Sequence, residues 1–102
     1  MMTPDPIVEQ NSVITEATIG LVKKRAALFL TFAHRSSSQS TGWLSLSESL
    51  VASIMEAARV VRWEDLRDKV VRTRSTEACV LEIGHVVKDE WVRLREKLAE
   101  HD

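Results

Sequence analysis

The chain of 102 residues contains one cysteine, two prolines and three glycines, and each scarcity bears on what the chain can be. The lone Cys79 cannot close an internal disulfide, whereas small secreted domains are usually held by several, so cysteine usage points to a reducing compartment and a cytoplasmic protein. One cysteine and three scattered histidines do not supply the paired spacing of a zinc site. Glycines at 20, 42 and 84 are too far apart to build a phosphate-binding loop. The most hydrophobic stretch, Ala26 to Ala33, is eight residues long and lies between Lys23-Lys24-Arg25 and His34-Arg35. A membrane-spanning helix needs ~20 apolar residues. A secretory leader does not fit either, because Asp5, Glu9 and Glu16 precede the basic triplet. Fourteen Lys and Arg against fifteen Asp and Glu leave a net charge of −1, with no global field to draw in nucleic acid or an anionic membrane.

What is present is ordinary globular material. Apolar residues make up 44% and charged residues 28%, well away from the composition of disordered chains. The expected organisation is a disordered N-terminus over 1–5 and a single helical domain over 6–102. Both prolines fall within the first six residues, so almost the whole chain lacks helix breakers. Asp5-Pro6 resembles an N-cap with proline at the first helical position, and the first helix is expected from there or from Ser12. In it Val22, Ala26, Phe29 and Ala33 share one face, widened by Ile19, Leu21, Leu30 and Phe32. The polar segment Arg35 to Gly42 reads as a flexible connection.

Ser45 and Glu48 have the Ser-x-x-Glu spacing of a capping box, so a second helix is expected to begin there, with Leu50, Val51, Ile54, Ala57, Ala58 and Val61 on its buried face. The apolar phase changes near Arg62-Trp63, where Trp63, Leu66 and Val70 begin a third helix that ends near Thr73–Thr76. A last helix, Thr76 to Glu100, carries Val80, Ile83, Val87, Trp91, Leu94 and Leu98 at spacings of 3, 4, 4, 3 and 4. A second, thinner stripe of Ala78, Leu81 and Val92 would need another packing partner. The β-branched run Ala78 to Val87 also suits a strand, but its continuation in helical phase favours the helix. The fold expected is therefore all-α: a small helical bundle of three to four helices, forming a homodimer through its first and last helices.

Candidate chemistry is sparse. Glu82 and His85 have the Glu-x-x-His spacing of carboxylate-bridged metal bundles, but they project away from the main apolar stripe and have no second copy of the motif. Cys79 sits between Glu77 and Glu82, which oppose thiolate formation. The serines at 36, 37 and 38 adjoin His34 without an orienting carboxylate in the same loop. No enzyme, cofactor or metal site is expected. Arg59, Arg62, Arg67, Lys69, Arg72 and Arg74 concentrate positive charge around Trp63, as a DNA recognition helix would. Glu64, Asp65 and Asp68 interrupt that charge and offer i+3 and i+4 partners.

The reading that results is a small regulatory or inhibitory protein-binding module, of the antiactivator, immunity, antitoxin or adaptor kind, that occludes a surface of a larger partner protein. Its contact residues would be Trp43, Leu44, Leu81 and Val92 together with Arg59, Arg62 and Arg67. The alternative is a small DNA-binding transcriptional regulator using the basic 59–74 helix.

Overall fold

A computed structural model describes residues 6–77 and 79–94. It overturns the all-α expectation: the chain forms an antiparallel sheet with one α-helix laid on one face. The expected disordered segment 1–5 and the end of the expected last helix, with Leu98, lie outside the described residues. Ala78 of the thinner stripe lies outside them as well.

The segment expected to be the first helix is a long hairpin of β1, Val8–Val22, and β2, Arg25–Ala33. Along β2 the residues Leu28, Leu30 and Phe32 are fully buried, the period-2 alternation of a sheet with one covered face. The hairpin turn is Lys23-Lys24, with φ of 52° and 69°. Two successive positive φ values define a type I′ turn, whose twist matches the flanking strands. The expected flexible connection holds β3, Ser38–Ser40, which pairs with the end of β2. After Gly42, at φ 71°, β4, Leu44–Ser45, returns to pair with Ala27 and Leu28.

The helix expected after Ser45 exists as α1, Glu48–Ala58, although its cap is Ser47. The Ser47 Oγ accepts the Leu50 N–H at 3.1 Å, while Ser45 is spent in β4. Ile54, Ala57 and Ala58 are buried, as the helical phase requires, and Leu50 and Val51 are half-buried. Val61 departs from that face: the chain leaves the helix at Arg59, which takes the left-handed conformation at φ 60°, and Val61 is 89% exposed.

The expected third helix is absent. A single 3-10 turn, Trp63–Asp65, leads into β5, Val70–Ser75. The expected last helix is likewise a hairpin of β6, Val80–Gly84, and β7, Trp91–Arg93, so the strand alternative for this stretch is the one adopted. The sheet order is β3-β2-β1-β5-β6-β7, with β4 continuing the outer edge beside β2. The core lies between this sheet and α1 and contains Ile14, Leu28, Leu30, Phe32, Leu44, Ile54, Leu66, Val71, Val80 and Ile83. With the first and last helices gone, the helix-mediated homodimer has no basis.

β1 changes partner midway. Val8 to Val13 pair with β5, a register irregularity follows between Ile14 and Glu16, and the remainder pairs with β2 alone. A bulge of this kind bends and twists the strand that carries it. In the far half of the hairpin β4 lies along the β2 edge while the β1 edge carries no strand, and among the described residues no helix lies over the opposite face of the sheet.

Candidate protein-docking face

On the face away from α1, register places Gly20, Thr18 and Glu16 of β1 beside Ala27, Phe29 and Thr31 of β2. The same face carries Glu9 and Asn11 opposite Arg74 and Arg72, and then Glu82 and Gly84 opposite Arg93 and Trp91. A tryptophan lies over a glycine at each end.

At the hairpin end, Trp43 stacks on Phe29 with ring centroids 5.3 Å apart and planes tilted by 59°. A Cβ at Gly20 would stand 3.3 Å from Trp43 Cη2, so the missing side chain is what lets the indole settle there. Trp43 nevertheless remains 45% exposed. It is held on two sides and open on a third, which is how an aromatic anchor is preorganised for a partner.

At the other end the corresponding pair is closed. A Cβ at Gly84 would come within 2.8 Å of the Trp91 ring. The Arg74 guanidinium covers that ring at 3.7 Å from its centroid and Arg72 lies at 4.7 Å, a cation–π stack. Glu9 then bridges both arginines, at 3.5 Å from Arg72 and 3.1 Å from Arg74, and Glu82 takes Arg74 at 3.1 Å. Partial burial works against the Arg74 charge, but hydrogen bonds to Glu9 and Glu82 more than offset it and leave its pKa above the ordinary value. Arg72 also donates to the carbonyls of His85 and Lys88. These two cations are engaged within the molecule.

The remaining expected site residues scatter. Leu44 is 1% exposed and belongs to the core. Leu81 and Val92 are half-buried in β6 and β7, and Val92 packs against the core. Arg59 is the exposed helix C-cap. Arg62 pairs with Asp65 at 3.3 Å, and that hydrogen bond, followed by the Asp65 and Glu64 charges, raises its pKa. Arg67 lines a shallow pocket with Thr15, Glu16, Ala17, Thr18, Trp63 and Glu64. The basic 59–74 segment is thus no helix, and its cations do not share one surface. Trp63 donates its indole N–H to the Ala17 carbonyl at 3.3 Å, covering part of the open β1 edge.

Of the candidates for chemistry, Glu82 is held by Arg74, and His85 Nδ1 accepts the N–H groups of Val87 and Lys88, which shapes the loop before β7. Cys79 is half-buried in the turn closed by Thr76. The serine that meets His34 is Ser12, not one of those at 36–38. Its Oγ lies 2.6 Å from His34 Nδ1 and 2.9 Å from Thr73 Oγ1, while Gln39 Oε1 lies 2.7 Å from His34 Nε2. Gln39 donates its amide hydrogens to the carbonyls of Thr76 and Glu77, which leaves its oxygen for the ring. His34 Nε2–H therefore donates to Gln39, and in the neutral ring Nδ1 accepts the Ser12 hydroxyl. Ser12 is 2% exposed and Thr73 is fully buried, so the arrangement is a polar seam joining β1, β2, β3 and β5, with Ser12 and the half-buried His34 also lining an open cavity of about 460 Å³. Spacing gave no sign of it, since Ser12, His34 and Thr73 meet only through strand register.

Among the described residues no helix is long and apolar enough to cross a membrane. Comparison of the chain with protein-family models, with curated proteins and with solved structures gives no match.

Proposed function

We propose that the chain is a small regulatory or inhibitory module that binds a larger protein and occludes part of its surface, using the face of its sheet opposite α1 with Trp43 as the anchor. The observation that carries this reading is the state of Trp43: seated on Phe29 and Gly20, yet 45% exposed. Aromatic side chains held rigid before binding lose little entropy when a partner covers them, and residues of this type dominate interface energetics. Phe29, Thr18 and Thr31 extend the patch without charge, and Glu16 marks its rim.

The paired state of Arg72 and Arg74 favours a protein partner over nucleic acid. Recruiting them to phosphates would require giving up Glu9, Glu82 and two backbone carbonyls. The DNA-binding alternative also loses the recognition helix on which it was built.

Affinity capture from nuclease-treated lysate, run side by side with wild-type chain, Trp43→Ala and the Arg62→Ala/Arg67→Ala pair, tests the proposal. A protein retained by wild type and by the arginine variant but lost with Trp43→Ala is the expected result. Equal retention by Trp43→Ala, or retention that vanishes on nuclease treatment, overturns it.

A further inference from the structure

The open edge of the hairpin arm has an outward-facing set of backbone groups that can be read from its inner bonds. Leu30 and Ala26 direct their carbonyls away from β1, to Thr41 and Leu46 respectively, so their β1 partners Ala17 and Leu21 turn their own backbone groups away from β2. Ile19, between them in phase, does the same. Trp63 occupies the Ala17 carbonyl. Ile19 and Leu21 remain, each with an N–H and a C=O facing solvent and side chains 46% and 77% exposed. They stand beside an apolar groove of about 600 Å³ formed by Ile19, Leu46, Val51, Met55 and Val60.

The arm ends in Lys23-Lys24-Arg25. All three are exposed, and among the described residues none of them makes an ion pair. Both lysines hold positive φ, a conformation that Asn or Gly adopts at far less cost. Three cations without an ion pair therefore project from the tip of the arm, two of them from a turn conformation that costs them energy.

The geometry points to a second copy of this chain as the occupant of that edge, in a two-fold dimer in which the β1 strands pair antiparallel and join the two sheets. Only one register uses the free groups and leaves Trp63 in place: Ile19 opposite Leu21 of the other protomer, Leu21 opposite Ile19, and the two Gly20 residues facing each other across the axis. Four backbone hydrogen bonds form, and the Ile19 and Leu21 side chains lie on the groove side of both protomers. Beyond these pairs the turn of one protomer leaves the ladder before reaching the Ala17 carbonyl that Trp63 holds, which brings its cations toward the pocket containing Glu16 and Glu64 of the other. Arg67 shares that pocket and Arg62 stands 3.9 Å from Glu64 and 3.3 Å from Asp65, so three acids and two bases meet three cations there, and the net attraction is repeated by symmetry. Charge complementarity thus selects a copy of the chain over an unrelated strand, and an isologous contact closes at two subunits without leading to a fibre. Gly20 at the axis also brings both Trp43 anchors onto one continuous face.

The test is sedimentation equilibrium of the full chain at low and high salt, with three variants. Wild type is expected to sediment as a dimer that weakens as salt rises. Leu21→Pro removes an N–H that bonds nothing within the protomer, so it should leave the circular dichroism spectrum unchanged and raise the dimer dissociation constant about tenfold or more. Lys24→Glu should also weaken the dimer, and Lys24→Glu combined with Glu64→Lys should restore it. A monomer at all concentrations, a dimer indifferent to Leu21→Pro, or a failed charge exchange overturns the proposal. Binding of a duplex oligonucleotide by monomeric chain, abolished by Lys24→Glu, would also overturn it and assign the basic turn to nucleic acid. The partner-capture result with Trp43→Ala is independent of all these outcomes.

Discussion

Gly84 and Trp91 show how one atom decides local structure. The ring lies where a Cβ would be, 2.8 Å from its ideal position, and Arg74 covers its other side. Gly84→Ala must displace the indole and loosen the Arg74 stack, and we expect a loss of about 1–3 kcal/mol in urea denaturation, the usual cost of overpacking. Ser12→Ala should cost a similar ~1–3 kcal/mol, because it leaves the buried Thr73 hydroxyl and His34 Nδ1 without their shared partner. A double variant that also carries Thr73→Val should recover part of that loss, since removing both polar groups leaves fewer buried atoms unsatisfied. Neither cluster was legible in the sequence. Trp43 could be marked there as a contact candidate, but its seat on Gly20 and Phe29 depends on strand register, which no local spacing reports. Leu44, its neighbour, alternates to the other side of the strand and is core.

The elements divide by how plainly their signals stand in the sequence. Helix α1 was legible because its buried face repeats at helical spacing behind a serine cap, although the acting serine is two residues beyond the one with the capping-box spacing. The β1–β2 hairpin was not, for two physical reasons. Lys23-Lys24 lacks the Asn or Gly that signals a type I′ turn, and Val22, Ala26, Phe29 and Ala33 fall in helical phase by coincidence while the alternation of Leu28, Leu30 and Phe32 carries the true period. In β6 the cause is a bulge. The register shifts between Arg74 and Ser75, so Val80 and Ile83, three apart, both face the core and imitate a helical step. Val87, the next residue in that false stripe, is 78% exposed in the loop before β7. The turn itself offers a test: Lys23→Asn with Lys24→Gly should raise folding stability by about 1–2 kcal/mol in thermal unfolding, because the new residues take positive φ at lower cost. No gain would contradict the conformation assigned to the turn.

At the level of the molecule, the one α-helix among the described residues covers one face of the sheet, which gives the protein a packed side and an opposite side where the docking face is proposed. Ile54 is the keystone of the packed side, fully buried at the centre of α1 against the sheet. Ile54→Ala should cost about 2–5 kcal/mol, enough to unfold a marginal chain of this size. Trp43→Ala should cost less than Ile54→Ala and leave the chain folded, because its ring packs on Phe29 and Gly20 outside the core. A surface-occluding module needs such a separation, with stability on one face and the proposed recognition on the other. It is measured by titrating the captured partner protein with purified wild-type chain and with Trp43→Ala under identical salt. A loss of about 30-fold or more in affinity, the scale of an interface hot spot, with the fold retained, is the outcome expected if Trp43 anchors the docking face. Equal affinities for the two chains would place the contact elsewhere and contradict the proposed function.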